Sequence, residues 1–185
     1  MDNRIVIISG APGSGKSTIS KRLAQESAHS HAVHMHTDDF YTYIRKGYVA
    51  PWLPAAAAQN TVVIEAFAAS VQAFAAGGYE VFVDGVIGPW FVDPWVQLAQ
   101  AGFDVRYIIL RPDQETTIAR AISRSGDTAL TDVEAVQSMW QAFGNLGAYA
   151  SHVLDTTQQN IDETVAVIQK ILAQDKMKIK EHPWQ

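Results

Sequence analysis

The chain has 185 residues, 48% hydrophobic and 18% charged, enough for one compact domain over 1–185 that buries roughly 70% of its unfolded surface; disorder, collagen and a whole-chain coiled coil are excluded. Fourteen basic against 19 acidic residues leave a formal net charge of −5, with no basic run of the kind that tracks a phosphate backbone, so nucleic acid is not an expected partner. The absence of cysteine excludes disulfides, thiolate catalysis and Cys-type zinc sites, and no signal-peptide core or stretch of about 18 apolar residues occurs, so the expectation is a cytoplasmic protein with no membrane partner.

Arg4 to Ser9 is a β-branched run without alternation, the pattern of a strand buried on both faces of a parallel sheet. Glycines at 10, 13 and 15 end it, and a helix is predicted from Lys16. Residues 33–36 read as a second strand, followed by a polar and aromatic segment over 37–48. Val63, Phe67, Val71 and Phe74 recur at helical spacing, predicting a helix over 60–76 stopped by Gly77 and Gly78. Residues 80–83 are a predicted strand, and Asp93-Pro94 is read as N-cap and first position of a helix that Gly102 ends. Residues 103–110 are strand again, Pro112 opens a helix to about Ser125, and Thr131 with Glu134 has the capping-box spacing for the next helix. Val153 and Leu154 form a short last strand, Asn160 and Glu163 open a terminal helix, and 176–180 reads as its solvated, fraying end. This alternation predicts a parallel sheet with helices on both faces and right-handed crossovers. Ligands of such sheets bind beyond the carboxyl ends of the strands.

Gly10-Ala11-Pro12-Gly13-Ser14-Gly15-Lys16-Ser17 satisfies the pattern G-x-x-x-x-G-K-S between a predicted strand and helix. In that context backbone N–H groups cradle phosphate oxygens, Lys16 reaches the β and γ phosphates of ATP, and the Ser17 hydroxyl ligates Mg2+. The expected nucleotide contacts are therefore Gly13, Ser14, Gly15, Lys16, Ser17 and Thr18. Asp38 and Asp39 follow the second strand directly, where a carboxylate takes a proton from an acceptor hydroxyl as it attacks the γ phosphate; the alternative is a turn or helix cap. Phe40, Tyr41, Tyr43 and Trp52 either wall an acceptor pocket or pack. Asp84 ends an apolar strand, the place of a carboxylate that holds Mg2+ or its water shell, although Asp-Gly also suits a plain turn. The apolar segment 86–91, with Trp90, either lines the acceptor site or packs. Arg120 and Arg124 share a helix face, and Gly126-Asp127-Thr128 beyond them suggests a small lid around 120–132 that brings the guanidiniums to the triphosphate; solvated surface arginines are the alternative. His29, His31, His34 and His36 crowd one region, yet lack the further ligands of a metal site.

Together, the phosphate loop, Thr37-Asp38-Asp39-Phe40-Tyr41, Val83-Asp84-Gly85 and the Arg120/Arg124 pair resemble the small P-loop kinases related to adenylate, shikimate and gluconate kinases, above all the chloramphenicol phosphotransferase-like ATP-binding proteins, over roughly 4–172. The resemblance implies a three-layer α/β P-loop NTPase fold, its five-stranded parallel sheet in the order 2-3-1-4-5, and ATP-dependent phosphorylation of a hydroxyl on a small molecule. It makes Asp38 the general base, Lys16 and Arg124 the groups that stabilise transferring charge, Ser17 and Asp84 the magnesium organisers, Arg120 and Arg124 the lid arginines, and Thr156 a contact near adenine. Asp38, Phe40, Trp52, Asp84, Gly85 and Trp90 are then the expected substrate contacts. The short lid, and Arg45 with Lys46 as the only basic pair near the acceptor, depart from the nucleotide monophosphate kinases and favour an uncharged or weakly charged metabolite or antibiotic-like alcohol. The alternatives are a nucleoside or sugar kinase and a nucleotide-binding ATPase switch acting on a protein partner; no Asn/Thr-Lys-x-Asp guanine-reading motif is present.

Overall fold

The computed structural model describes residues 3–123 and 132–180. Strand β1 (Arg4–Ser9) leads through the phosphate loop to α1 (Lys16–Gln25), then β2 (Ala32–His36), α2 (Thr37–Thr42) and α3 (Ala57–Ala76). Next come β3 (Glu80–Gly85), α4 (Asp93–Gln100), β4 (Asp104–Leu110), α5 (Gln114–Ile122), α6 (Val133–Ala142), β5 (Val153–Leu154) and α7 (Ile161–Ala173). All five strands are parallel, in the order β2-β3-β1-β4-β5. This is the expected three-layer α/β P-loop NTPase arrangement.

The β-branched run of β1 occupies the sheet centre, where Ile5, Val6, Ile7 and Ile8 have no exposed surface. Its alternate side chains feed two cores. Ile5 and Ile7 pack with Val83, Tyr107, Phe67, Val71 and Trp95 on the α3/α4 face, whereas Val6 and Ile8 pack with Ile19, Leu23, Val165 and Ile168 on the α1/α7 face. Ser9 pairs with Gly85 on one side and Ile109 on the other, so three strands end level at one edge.

Several local expectations shift. Residues 37–42 fold as helix α2, because the two aspartates in its first turn favour the positive end of the helix dipole. Helix α4 begins at Asp93 itself, with Val92 as the cap residue and no side-chain cap bond. At α5 the cap is Asp113, which accepts from the Thr116 N–H at 2.7 Å, and the helix stops at Ile122. Thr131 lies outside the described residues, and Asp132 caps α6 by accepting from the Ala135 N–H. The Asn160/Glu163 capping box of α7 forms as expected.

Residues 176–180 do not fray. β5 pairs only with Ile109 and Leu110, leaving the edge of β4 away from β1 without a strand partner before Ile109, and unpaired backbone polar groups demand partners. The tail supplies them: the Tyr107 N–H donates to the Met177 carbonyl, the Ile179 N–H donates to the Val105 carbonyl, and Ile179 is buried. Among the described residues no helix is long and apolar enough to cross a membrane.

Candidate active site at the carboxyl edge

The phosphate loop is held by what surrounds its glycines. Gly13 has φ +89°, and a Cβ there would lie 2.2 Å from the Thr117 carbonyl oxygen, so α5 packs against bare backbone. Lys16 is only 4% exposed, and its ammonium lies 3.5 Å from the Ala11 carbonyl oxygen. Thr18 is exposed on the first turn of α1. The Ser14 hydroxyl is buried without a hydrogen-bond partner among the described residues, and so is that of Thr156 in the loop after β5. Each leaves a donor for a bound group, one beside the phosphate loop and one where the adenine contact is expected. The β5–α7 loop is fixed by Asp155, which accepts from the Thr157 N–H and hydroxyl at 2.9 and 2.6 Å. These bonds hold the Asp155 carboxyl below its ordinary range.

Asp84, at the end of β3, has no exposed surface. The Ser17 hydroxyl donates to its Oδ2 at 2.5 Å, His34 Nε2 lies 2.5 Å from its Oδ1, and His36 Nε2 lies 3.5 Å from its Oδ2. Burial pushes the carboxyl up, but His34, His36, Ser17 and Lys16 together outweigh it and hold the group below the usual carboxylate range. An ionised, fully buried carboxylate beside a hydroxyl is a hard oxygen donor set that fits Mg2+. Among the described residues no group of three or more His, Cys, Asp or Glu side chains is arranged to hold a metal ion; the two histidines contact the carboxylate itself. Sequence reading grouped them with His29 and His31 but missed that they bracket Asp84. The signal was their alternation on β2, whose neighbour in the sheet is β3.

His36 also joins this centre to the acidic pair, lying 3.5 Å from Asp38 Oδ2 and 3.7 Å from Asp39 Oδ1. Both carboxylates are well exposed, at 65% and 69%. Gly85 lets α2 approach, since a Cβ there would meet Thr37 Oγ1 at 2.2 Å. The Tyr41 hydroxyl donates to Asn60 Oδ1 at 3.0 Å; burial, helped by the Asp38 charge, pushes its pKa up to about 12.

The aromatic residues divide. Phe40 turns into the core, with its ring 5.0 Å from Phe67. Trp52 is half exposed, and so is Trp90, whose ring lies edge-on to Phe143 at 5.5 Å. Arg120 is partly buried in the last turn of α5. Arg124, like most of the segment 120–132 where a lid is expected, lies outside the described residues. The structure thus brings Lys16, Ser17, Asp84 and, through His36, Asp38 to one edge.

A family model described as an AAA domain matches residues 5–146. The chain belongs to that family, as a P-loop kinase-like domain. Among solved structures, a gluconokinase from Sinorhizobium meliloti is 17% identical with a TM-score of 0.69, the match covering 94% of this chain and 93% of that one. A sugar kinase from Janibacter is 18% identical with a TM-score of 0.66, covering 92% and 94%. The tunicamycin resistance protein of Deinococcus radiodurans is 16% identical with a TM-score of 0.62, covering 96% and 98%. At these identities the likeness establishes the fold. The sequence matches no curated protein.

Proposed function

We propose that the protein transfers the γ-phosphoryl group of Mg-ATP to a hydroxyl of a small molecule. The observation that carries this reading is the joined set Lys16, Ser17, Asp84, His36 and Asp38, in which a phosphate loop, a buried oxygen pair and an exposed carboxylate share one edge. Ser17 and Asp84 would hold Mg2+, which neutralises charge between the β and γ phosphates when bound. Lys16 and Arg124 stabilise charge on the transferring group, with Arg120 and the 120–132 segment acting as a lid. The main-chain N–H groups over 13–18 and the Ser14 and Thr156 hydroxyls bind nucleotide. Asp38 takes the proton from the acceptor hydroxyl, at an exposed position open to an incoming alcohol, while Trp52, Gly85 and Trp90 border the acceptor. The kinases and the antibiotic-resistance protein among the similar structures support a small-molecule acceptor.

The test is ADP release from Mg-ATP with a panel of sugars, sugar acids, nucleosides, aminocyclitols and phenicol-type alcohols. One compound class should stimulate release in the wild type and not in Lys16→Ala, and Asp38→Asn should lower the stimulated rate about 10²–10⁴-fold. Release indifferent to every alcohol would overturn the reading in favour of an ATP-driven switch. An undiminished rate in Asp38→Asn would move the base to another group.

A further inference from the structure

Arg4, Arg22 and Arg106 each reach one or more carboxylates. Arg111 does not: among the described residues no carboxylate lies within ion-pair distance of it. Its guanidinium carbon stands 4.0 Å over the Trp140 ring, and its Nε is buried without a hydrogen-bond partner among the described residues. The Trp140 ring is itself fixed, because its Nε1–H donates to the Pro112 carbonyl at 2.8 Å. A partly buried guanidinium, locked by stacking and with no counter-charge among the described residues, is costly to keep unless a ligand completes it. Arginine in this setting suits carboxylate and phosphate oxygens.

Its place in the fold selects which ligand. Arg111 lies two residues beyond the Ile109–Ser9 pair, level with the start of the phosphate loop. Side chains alternate along a strand, so it continues the face of Tyr107 and Ile109, which belong to the α3/α4 core. Ile87 of the loop after β3 and Phe143, on which Trp90 rests, belong to the same core. The nucleotide-side elements are on the other face: α1 and α7, which flank the phosphate loop and the Asp155–Thr157 turn, pack together there.

We propose that Arg111 binds an oxyanion of the acceptor, so that the substrate is an alcohol carrying one carboxylate or phosphomonoester group. This rests on the kinase reading above and sharpens the weakly charged acceptor to a single anionic group, matching a single guanidinium.

The experiment is calorimetric titration of inorganic phosphate and, separately, of gluconate into the protein saturated with Mg2+ and a non-hydrolysable ATP analogue, for wild type, Arg111→Lys and Arg111→Met. Thermal melting monitors folding, and Arg111→Gln replaces the methionine variant if that fails to fold. With the nucleotide site filled, at least one anion should bind the wild type, and the two titrations distinguish phosphomonoester from carboxylate. Arg111→Met should bind about 10- to 100-fold more weakly, the worth of charge-assisted hydrogen bonds, with Arg111→Lys intermediate. In ADP release, KM for the anionic alcohol should rise more than kcat falls. Equal binding by wild type and Arg111→Met, or no anion bound once the nucleotide site is filled, would overturn the proposal. So would neutral alcohols that stimulate release with an unchanged KM in Arg111→Met, and that result would leave the kinase reading intact. Loss of anion binding in Arg111→Met without any alcohol-stimulated release would uphold the oxyanion site and overturn the kinase reading.

Discussion

Strand β3 carries a buried carboxylate at each end, and the two have different company. At the amino end Glu80, 3% exposed, faces Arg4 Nη1 at 3.3 Å, the Ser27 hydroxyl at 2.5 Å and His29 Nε2 at 3.5 Å. At the carboxyl end Asp84 faces a hydroxyl and two imidazoles, with the Lys16 charge nearby. A guanidinium is permanently charged and strongly directional, so Glu80 is closed. The Ser17 hydroxyl has two lone pairs besides its proton, so it can turn from donor to metal ligand and leave Asp84 open to a cation. On the proposed reading, the same strand serves folding at one end and chemistry at the other.

Neutralising each end in turn gives the largest effects. Asp84→Asn should lower phosphoryl transfer about 10²–10³-fold, the cost of a lost electrostatic stabiliser, with little change in melting temperature; Lys16→Ala should match it. Glu80→Gln should do the reverse, leaving activity in place while weakening the Arg4 pair. The expected loss is about 1–3 kcal/mol, or roughly 3–10 °C in Tm for a chain of this size, read by calorimetry. Equal losses of activity in both variants would break the comparison. Gly13→Ala tests how the carboxyl edge is held: the added Cβ meets the Thr117 carbonyl at a strained φ, and a cost of about 1–3 kcal/mol together with weaker nucleotide binding is expected.

The smallest effect concerns a buried group with a neutral partner. His152 Nδ1–H donates to the Tyr107 carbonyl at 2.7 Å; burial pushes the imidazole pKa down, and the carbonyl only partly opposes it. The unfolded chain takes up this proton near pH 6.5, so it binds more protons than the native state below that pH. Stability should therefore fall as pH drops from about 6.5 toward the lowered native value. Urea unfolding at pH 7.5 and 5.5 should show a shallower loss for His152→Asn than for the wild type. Asp84, ringed by donors, is held charged; His152, facing a carbonyl, is held neutral.

Strands buried on both faces were legible because nothing but a central parallel strand explains Ile5-Val6-Ile7-Ile8, and the phosphate loop was legible because its spacing is a chemical requirement. The strand order came from the resemblance, since no local pattern encodes which strand neighbours which. Helix α2 was hidden by its brevity and aromatic content, and the docked tail by its charges: Lys178 and Lys180 read as solvent-facing, while the need that buries Ile179 arises from the distant shortness of β5. Within the site, Asp84 and Asp38 were visible as acids at strand ends. The His34/His36 bracket and the Trp140 stack on Arg111 depend on contacts between separate elements, which one sequence does not display.

The most direct measurement is binding of a non-hydrolysable ATP analogue with and without Mg2+, by calorimetry, to wild type, Asp84→Asn and Glu80→Gln. The account predicts that Mg2+ tightens binding by about tenfold or more, roughly 1.4 kcal/mol, in the wild type and Glu80→Gln, and has no such effect in Asp84→Asn. Equal tightening in all three proteins would contradict the assignment of the carboxyl end of β3 to chemistry.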